Sequence, residues 1–304
     1  MLSRIESSMK RLILFLWICL LASSSLRAQY SYGTTGLLNM PTADMQRDKT
    51  FMFGGGYLDT HTSTARWNYN TWNYYVNITF FPWMEFSYNL ELHKAIKNDP
   101  ALGNYWVPST YGKFVNQDRQ FSLRFRLWKE GWWKAWTPQI VIGSDDVSTH
   151  SWGDTSKRFE VADNKGNGFN NRYYLAATKH FSFAGIGELG THLSYLYNKR
   201  SDYPLNGFAF GANFRLNLPE DQHAVNKWLN GINLMMEAYP ADGRGTYWDE
   251  NANPRIHYDR GLAIGKYDIN IGASYSLWKD HINLIGELYG CKDFSGGVQF
   301  KVHL

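Results

Sequence analysis

Charged side chains are where chemistry would be sought in this sequence, and they stand singly. Glu85, Glu91, Arg124, Arg126, Arg215, Glu237, Asp268, Glu287 and Lys301 each occupy the polar side of a segment in which apolar and polar residues alternate. Both signs occur, so the line reads either as a salt-bridged interior or as the lining of a conducting lumen. The nine histidines show no H-x-x-x-H spacing for a metal. Asp163–Gly168 (DNKGNG) has the composition of a calcium loop, but Lys165 occupies a ligand position and no Glu stands at the twelfth place. A Gly/Asn turn accounts for it, and neither metal nor other cofactor is expected. No G-x-S-x-G nucleophile turn occurs. Catalytic partners that meet only in space leave an outer-membrane lipid hydrolase open as an alternative, yet no residue pattern points to an enzyme.

These side chains are carried by an exported chain. Lys10 and Arg11 precede the apolar run Leu12–Leu21, and small residues lead to Ala28 and Gln29. That is the pattern of a secretory signal peptide spanning 1–28, and the run is too short for a spanning helix. Losing Arg4, Lys10, Arg11 and Arg27 together with Glu6 takes the net charge from +4 to +1. The remaining charges are scattered, which excludes a nucleic-acid footprint. Cys19 leaves with the signal, so Cys291 has no partner within the chain.

About 276 residues remain after residue 28, enough for one large domain over 50–304. Alternation of period two recurs throughout. Met84, Phe86, Tyr88, Leu90 and Leu92 share one face and Glu85, Ser87, Asn89, Glu91 and His93 the other. Twelve such segments start near Phe51, Trp72, Met84, Phe121, Gln139, Arg172, Leu189, Phe208, Ile232, Tyr267, Ile282 and Gly296. Their polar faces carry Asn, Ser, Gly and single charges, which suits a polar lumen inside an apolar outer surface. The expected fold is all-β: a transmembrane antiparallel up-and-down barrel of about twelve strands in the bacterial outer membrane, with lipids as its surroundings. A secreted β-sandwich that stacks sugars on exposed aromatics is the alternative.

Tryptophans at strand ends, among them Trp72, Trp83, Trp128, Trp132, Trp133, Trp136 and Trp278, fit the aromatic girdles of membrane barrels. Phe81-Pro82, Phe183–Gly185 and Lys279-Asp280 read as short periplasmic turns. Glu91–Arg119, Ser144–Asn171 and Tyr239–Lys266 bracket long external loops. Pro219–Leu229 is the one convincing helix, with acidic residues in its first turn. Tyr30–Lys49 lacks the alternation. Its glycines, Pro41 and apolar Leu37, Leu38 and Met40 predict an ordered plug or docking element over 29–49 at the periplasmic side.

Gly33–Met45 (GTTGLLNMPTADM), with Gly36, Leu37, Pro41 and Thr42 at its centre, resembles the opening of the YjbH family (YjbH/GfcD-type) of outer-membrane proteins linked to exopolysaccharide export. Arg119–Gly131, Thr137–Val147, Gly166–Phe181, Asn230–Asp242 and Asp268–Leu277 are similar to later segments of that family. The resemblance implies an accessory component of exopolysaccharide or capsule export or assembly, with polysaccharide and other export-machinery proteins as partners.

Overall fold

Alternation of this kind, continued over a whole chain, has one arrangement in lipid that leaves no backbone group unbonded: a closed barrel. The computed structural model describes residues 33–58, 71–94, 114–145, 172–197, 206–240, 261–278 and 280–303. The leader at 1–28 and the Asp163–Gly168 turn lie outside them.

The strands are β1 (Thr50–Leu58), β2 (Thr71–Phe81), β3 (Met84–Lys94), β4 (Phe114–Trp128), β5 (Gln139–Asp145), β6 (Arg172–Phe183), β7 (Gly187–Tyr197), β8 (Asn206–Leu216), β9 (Ile232–Pro240), β10 (Ala263–Ile264), β11 (Tyr267–Leu277), β12 (Ile282–Tyr289) and β13 (Asp293–His303). All pairings are antiparallel. β1 meets β13, and β9 meets β11 from Tyr267 opposite Pro240 to Tyr275 opposite Ile232, so the sheet closes. The two-residue β10 pairs only with the start of β11, which leaves twelve of the thirteen strands in the wall. A single closed sheet overturns the β-sandwich alternative.

Inside and outside follow the sequence phase. On β3, Glu85, Ser87, Asn89 and Glu91 are buried, and on β5 Gln139, Val141, Gly143 and Asp145 are buried while Ile142 is exposed. Phe53, Tyr74, Leu175, Phe208, Phe210, Leu234, Met236 and Val302 are exposed on the outer surface. Apolar outside and polar inside is the inverse of a water-soluble protein and matches a wall bathed in hydrocarbon.

One end carries the short turns at 82–83, 184–186 and 278–281 and the connectors 129–138 and 217–231, together with the start of β1 and the end of β13. The longer connections leave from the other end, apart from the tight turn at 290–292, where Gly290 and Cys291 both take positive φ (57° and 54°). The short-turn end is therefore the periplasmic one.

Two expectations need correction. β4 begins at Phe114, inside the stretch read as loop, because Asn116–Gln120 pairs with β3 despite its polar composition. The expected helix shrinks to one turn, α1 (Asn226–Leu229), with no acidic residue in its first turn. Asn230 clamps Leu218 through both main-chain groups (2.6 and 2.9 Å), and Asn226 bonds the Pro219 carbonyl at 2.7 Å, so the front of the connector is held as an irregular loop.

Candidate functional site

A lumen lined by carboxylates and guanidinium groups has to satisfy them, since an uncompensated buried charge is costly. Here the satisfaction comes from the chain itself. Residues 33–46 are buried and touch nearly every strand around the barrel. Gly36 and Pro41 form an antiparallel bridge and Leu37 N donates to Met40 O at 3.2 Å, making a hairpin whose tip is Leu37–Met40.

Wall side chains read this hairpin's main chain from all sides. Glu237 on β9 accepts from the N–H groups of Leu38, Asn39 and Met40 (3.2, 3.0 and 3.0 Å) and from Asn270 Nδ2 at 2.9 Å. Three successive amides around one carboxylate form an anion-binding nest. Glu85 on β3 accepts from Thr35 N at 2.7 Å and Thr35 Oγ1 at 2.8 Å. Glu287 on β12 takes Asn39 Nδ2. Arg124 on β4 donates to the carbonyls of Thr35, Thr42 and Asp44, and its Nη1 lies 3.4 Å from Glu85. Arg172 on β6 donates to Asn39 O at 2.7 Å, to Tyr239 Oη at 3.0 Å and to Asp145 Oδ2 at 2.5 Å. Tyr174 lies between the two guanidinium groups, which stand 6.0 and 5.8 Å from its ring centre. Gln139 and Ser194 donate to the carbonyls of Ala43 and Pro41, and Thr178 Oγ1 accepts from Ala43 N at 2.9 Å.

Apolar contact supplies the rest. Leu37, Leu38, Met40, Ala43 and Met45 pack with Val141, Ala176, Leu196, Ala209 and Met235 on the wall. Two wall glycines make room for them: a Cβ at Gly211 would lie 2.5 Å from Met40 Sδ and 2.6 Å from Leu37 Cδ2, and one at Gly272 would lie 2.6 Å from Leu38 Cδ2.

At the periplasmic mouth the hairpin's exit is tied down. His180 Nε2 lies 3.5 Å from Asp44 Oδ1, and its Nδ1 lies 2.7 Å from Oε2 of Glu130 in the β4–β5 turn. Lys179 Nζ reaches the other oxygen of Glu130 at 2.7 Å. Burial works to raise the Glu130 pKa, but the hydrogen bonds from His180 and Lys179 outweigh it and hold the carboxyl at about 2.

Of the residues selected from sequence, Glu85, Arg124, Glu237 and Glu287 converge on the hairpin. Asp268 is buried in the polar interior opposite Tyr239, accepting from Tyr289 Oη at 2.6 Å. Glu91 is buried on the loop-side half of β3, opposite Asn73. Lys301 lies at the short-turn end, 3.5 Å from Asp280 Oδ2. Arg126 and Arg215 are half-buried near that same end, in register with Val141 and with Glu188. Gly36 and Pro41 are the bridge pair, Leu37 is in the tip, and the Thr42 carbonyl faces Arg124. Sequence reasoning missed Arg172, Asp145, Gln139, Ser194 and Thr178, although all five share the inward phase of their strands. The hydroxyl–histidine contact Thr178–His192 (3.0 Å) is engaged by the hairpin through Ala43 N, and the far His192 nitrogen meets Asn213 at 2.8 Å.

The hairpin and β1–β5 are also where a family likeness falls. The family described as exopolysaccharide biosynthesis protein YbjH matches residues 28–153. Over that stretch the chain resembles that family. The uncharacterized lipoprotein YjbH of Escherichia coli (strain K12) is 27% identical over 121 residues, which is 40% of this chain and 14% of that protein. The chain thus spans only a small part of that relative's length. Among solved structures, the KdgM porin aligns with 83% of the chain and 99% of its own at 10% identity and TM-score 0.41. OprD of Pseudomonas aeruginosa aligns with 92% and 99% at 10% identity and TM-score 0.24.

Proposed function

We propose that the protein is a plugged outer-membrane barrel that serves, without catalysis, as an accessory component of exopolysaccharide or capsule export or assembly. Residues 33–46 act as the plug. The observation that carries the reading is the coordination of the hairpin's main chain by buried wall charges: Glu237 on three amides and Arg124 on three carbonyls. Such a segment is a fitted component of the lumen, held by groups that would be left uncompensated without it. A lumen filled in this way argues against bulk flow through the resting barrel. The polysaccharide connection comes from the family likeness, and its partners would be lipids of the outer membrane, the polymer and other export proteins.

The test is a strain lacking the gene, complemented with the wild type or with Leu38→Asp/Met40→Asp, which puts charge on the hairpin tip. Surface polymer should fall without the gene, return with the wild type and fail to return fully with the variant at equal barrel content. Polymer unchanged by loss of the gene would remove the proposed role.

A further inference from the structure

The ten-residue connector 129–138 (KEGWWKAWTP) is larger than a β-turn needs to be, and its aromatic residues face away from the protein. Trp132, Trp133 and Trp136 are 68%, 65% and 64% exposed. The backbone is nonetheless fixed. Gly131, at φ 69°, donates to Thr137 O at 3.0 Å, Thr137 N and Oγ1 both bond Lys134 O (2.9 and 2.8 Å), and Trp132 N bonds Lys129 O at 3.2 Å. An ordered turn that presents three tryptophans is built for something that covers them.

Two observations say what covers them. The patch continues the lipid-facing surface: Trp132 contacts Trp128 at the end of β4 (centroids 5.1 Å apart), and Trp83 beside it stacks on Phe81 (5.2 Å) and Phe125 (6.2 Å). The patch is also cationic. Lys129 and Lys134 are exposed, with Lys134 Nζ 4.7 Å from the Trp133 ring centre. Glu130, the connector's one carboxylate, is turned away onto Lys179 and His180. Indole rings collect at headgroup depth, and lysines beside them attract anionic headgroups.

We propose that the 129–138 connector is a foot that seats Trp132, Trp133 and Trp136, with Lys129 and Lys134, in the anionic headgroup layer of the periplasmic leaflet. This goes beyond the polysaccharide role and rests only on the barrel spanning a membrane.

The test uses the full-length protein reconstituted in phosphatidylethanolamine vesicles, with a fraction of either spin-labelled phosphatidylglycerol or spin-labelled phosphatidylcholine. Ten of the 13 tryptophans lie elsewhere, so the foot's signal is the difference between the wild type and Trp132→Phe/Trp133→Phe/Trp136→Phe. That difference signal should be quenched by both labels and more strongly by the anionic one. Lys129→Gln/Lys134→Gln should abolish the preference, which corresponds to a loss of relative affinity on the order of tenfold, while leaving quenching by lipid in place. Equal quenching by the two labels in the wild type would overturn the anionic assignment. A foot quenched by aqueous acrylamide and by neither lipid would overturn the membrane assignment and leave a periplasmic protein as the occupant.

Discussion

At the scale of single residues, Glu237 carries the most. Its replacement by Ala leaves three buried amides without an acceptor, a cost of about 3 kcal/mol at roughly 1 kcal/mol for each. Glu237→Gln keeps an acceptor and loses the charge, and should cost about half as much. Hydrogen exchange at the Leu38, Asn39 and Met40 amides measures this directly, with exchange fastest in Glu237→Ala, intermediate in Glu237→Gln and slowest in the wild type. Glu130 makes a pH-dependent contribution at the hairpin's exit. Its pKa in the folded protein, about 2, lies below the ordinary 4.5. The stabilisation it gives is therefore fully present above pH 4.5 and is lost as pH falls through 4.5 towards 2. Exchange near Asp44 should be faster in Glu130→Gln than in the wild type at pH 6, and the two should converge near pH 2.

At the scale of elements, the wall glycines set the fit of the hairpin. A leucine at Gly211 must occupy the volume now held by Met40 Sδ and Leu37 Cδ2. Gly211→Leu should expel the tip while the β8 pairings with β7 and β9 persist, so the band should still shift with heating on SDS gels while the tip amides lose protection. Variants that lost both would show that the hairpin is needed to fold the barrel. The strands themselves were legible because period two reports the inward phase whichever partner fills the lumen. Asn116–Gln120 was not, since its sequence (NQDRQ) is polar throughout and lacks the apolar half of the period-two signal. Four of the charges that hold the hairpin could be selected by phase, but Asp145 falls within the stretch read as a loop and Arg172 is the first residue of its strand, where alternation has barely begun. Gly211 and Gly272 carry no signal of their own: their role is a close approach from a segment some 170 to 230 positions away, which periodicity does not contain. The Pro219–Leu229 helix was overread because acidic residues ahead of an apolar run look like a helix start, whereas the Asn230 and Asn226 side chains bond the main chain and hold it irregular.

At the scale of the whole molecule, the barrel is a wall of twelve strands closed on its own first segment. Polar groups point inward, and the buried hairpin supplies partners to the strongest of them. The outer surface and its tryptophans fix the barrel in lipid, and the Glu130–His180–Asp44 chain links the periplasmic foot to the point where the hairpin leaves the lumen. In the plugged barrel proposed above, residues 33–46 close the lumen at rest. Single-channel recording in planar bilayers tests it most directly, comparing the wild type with a chain lacking 34–46 and with Gly211→Leu, each first checked for heat-modifiable migration. The wild type should be silent, and the two altered barrels should give steady open currents. A wild type that conducts steadily, with the same conductance in both altered forms, would contradict it.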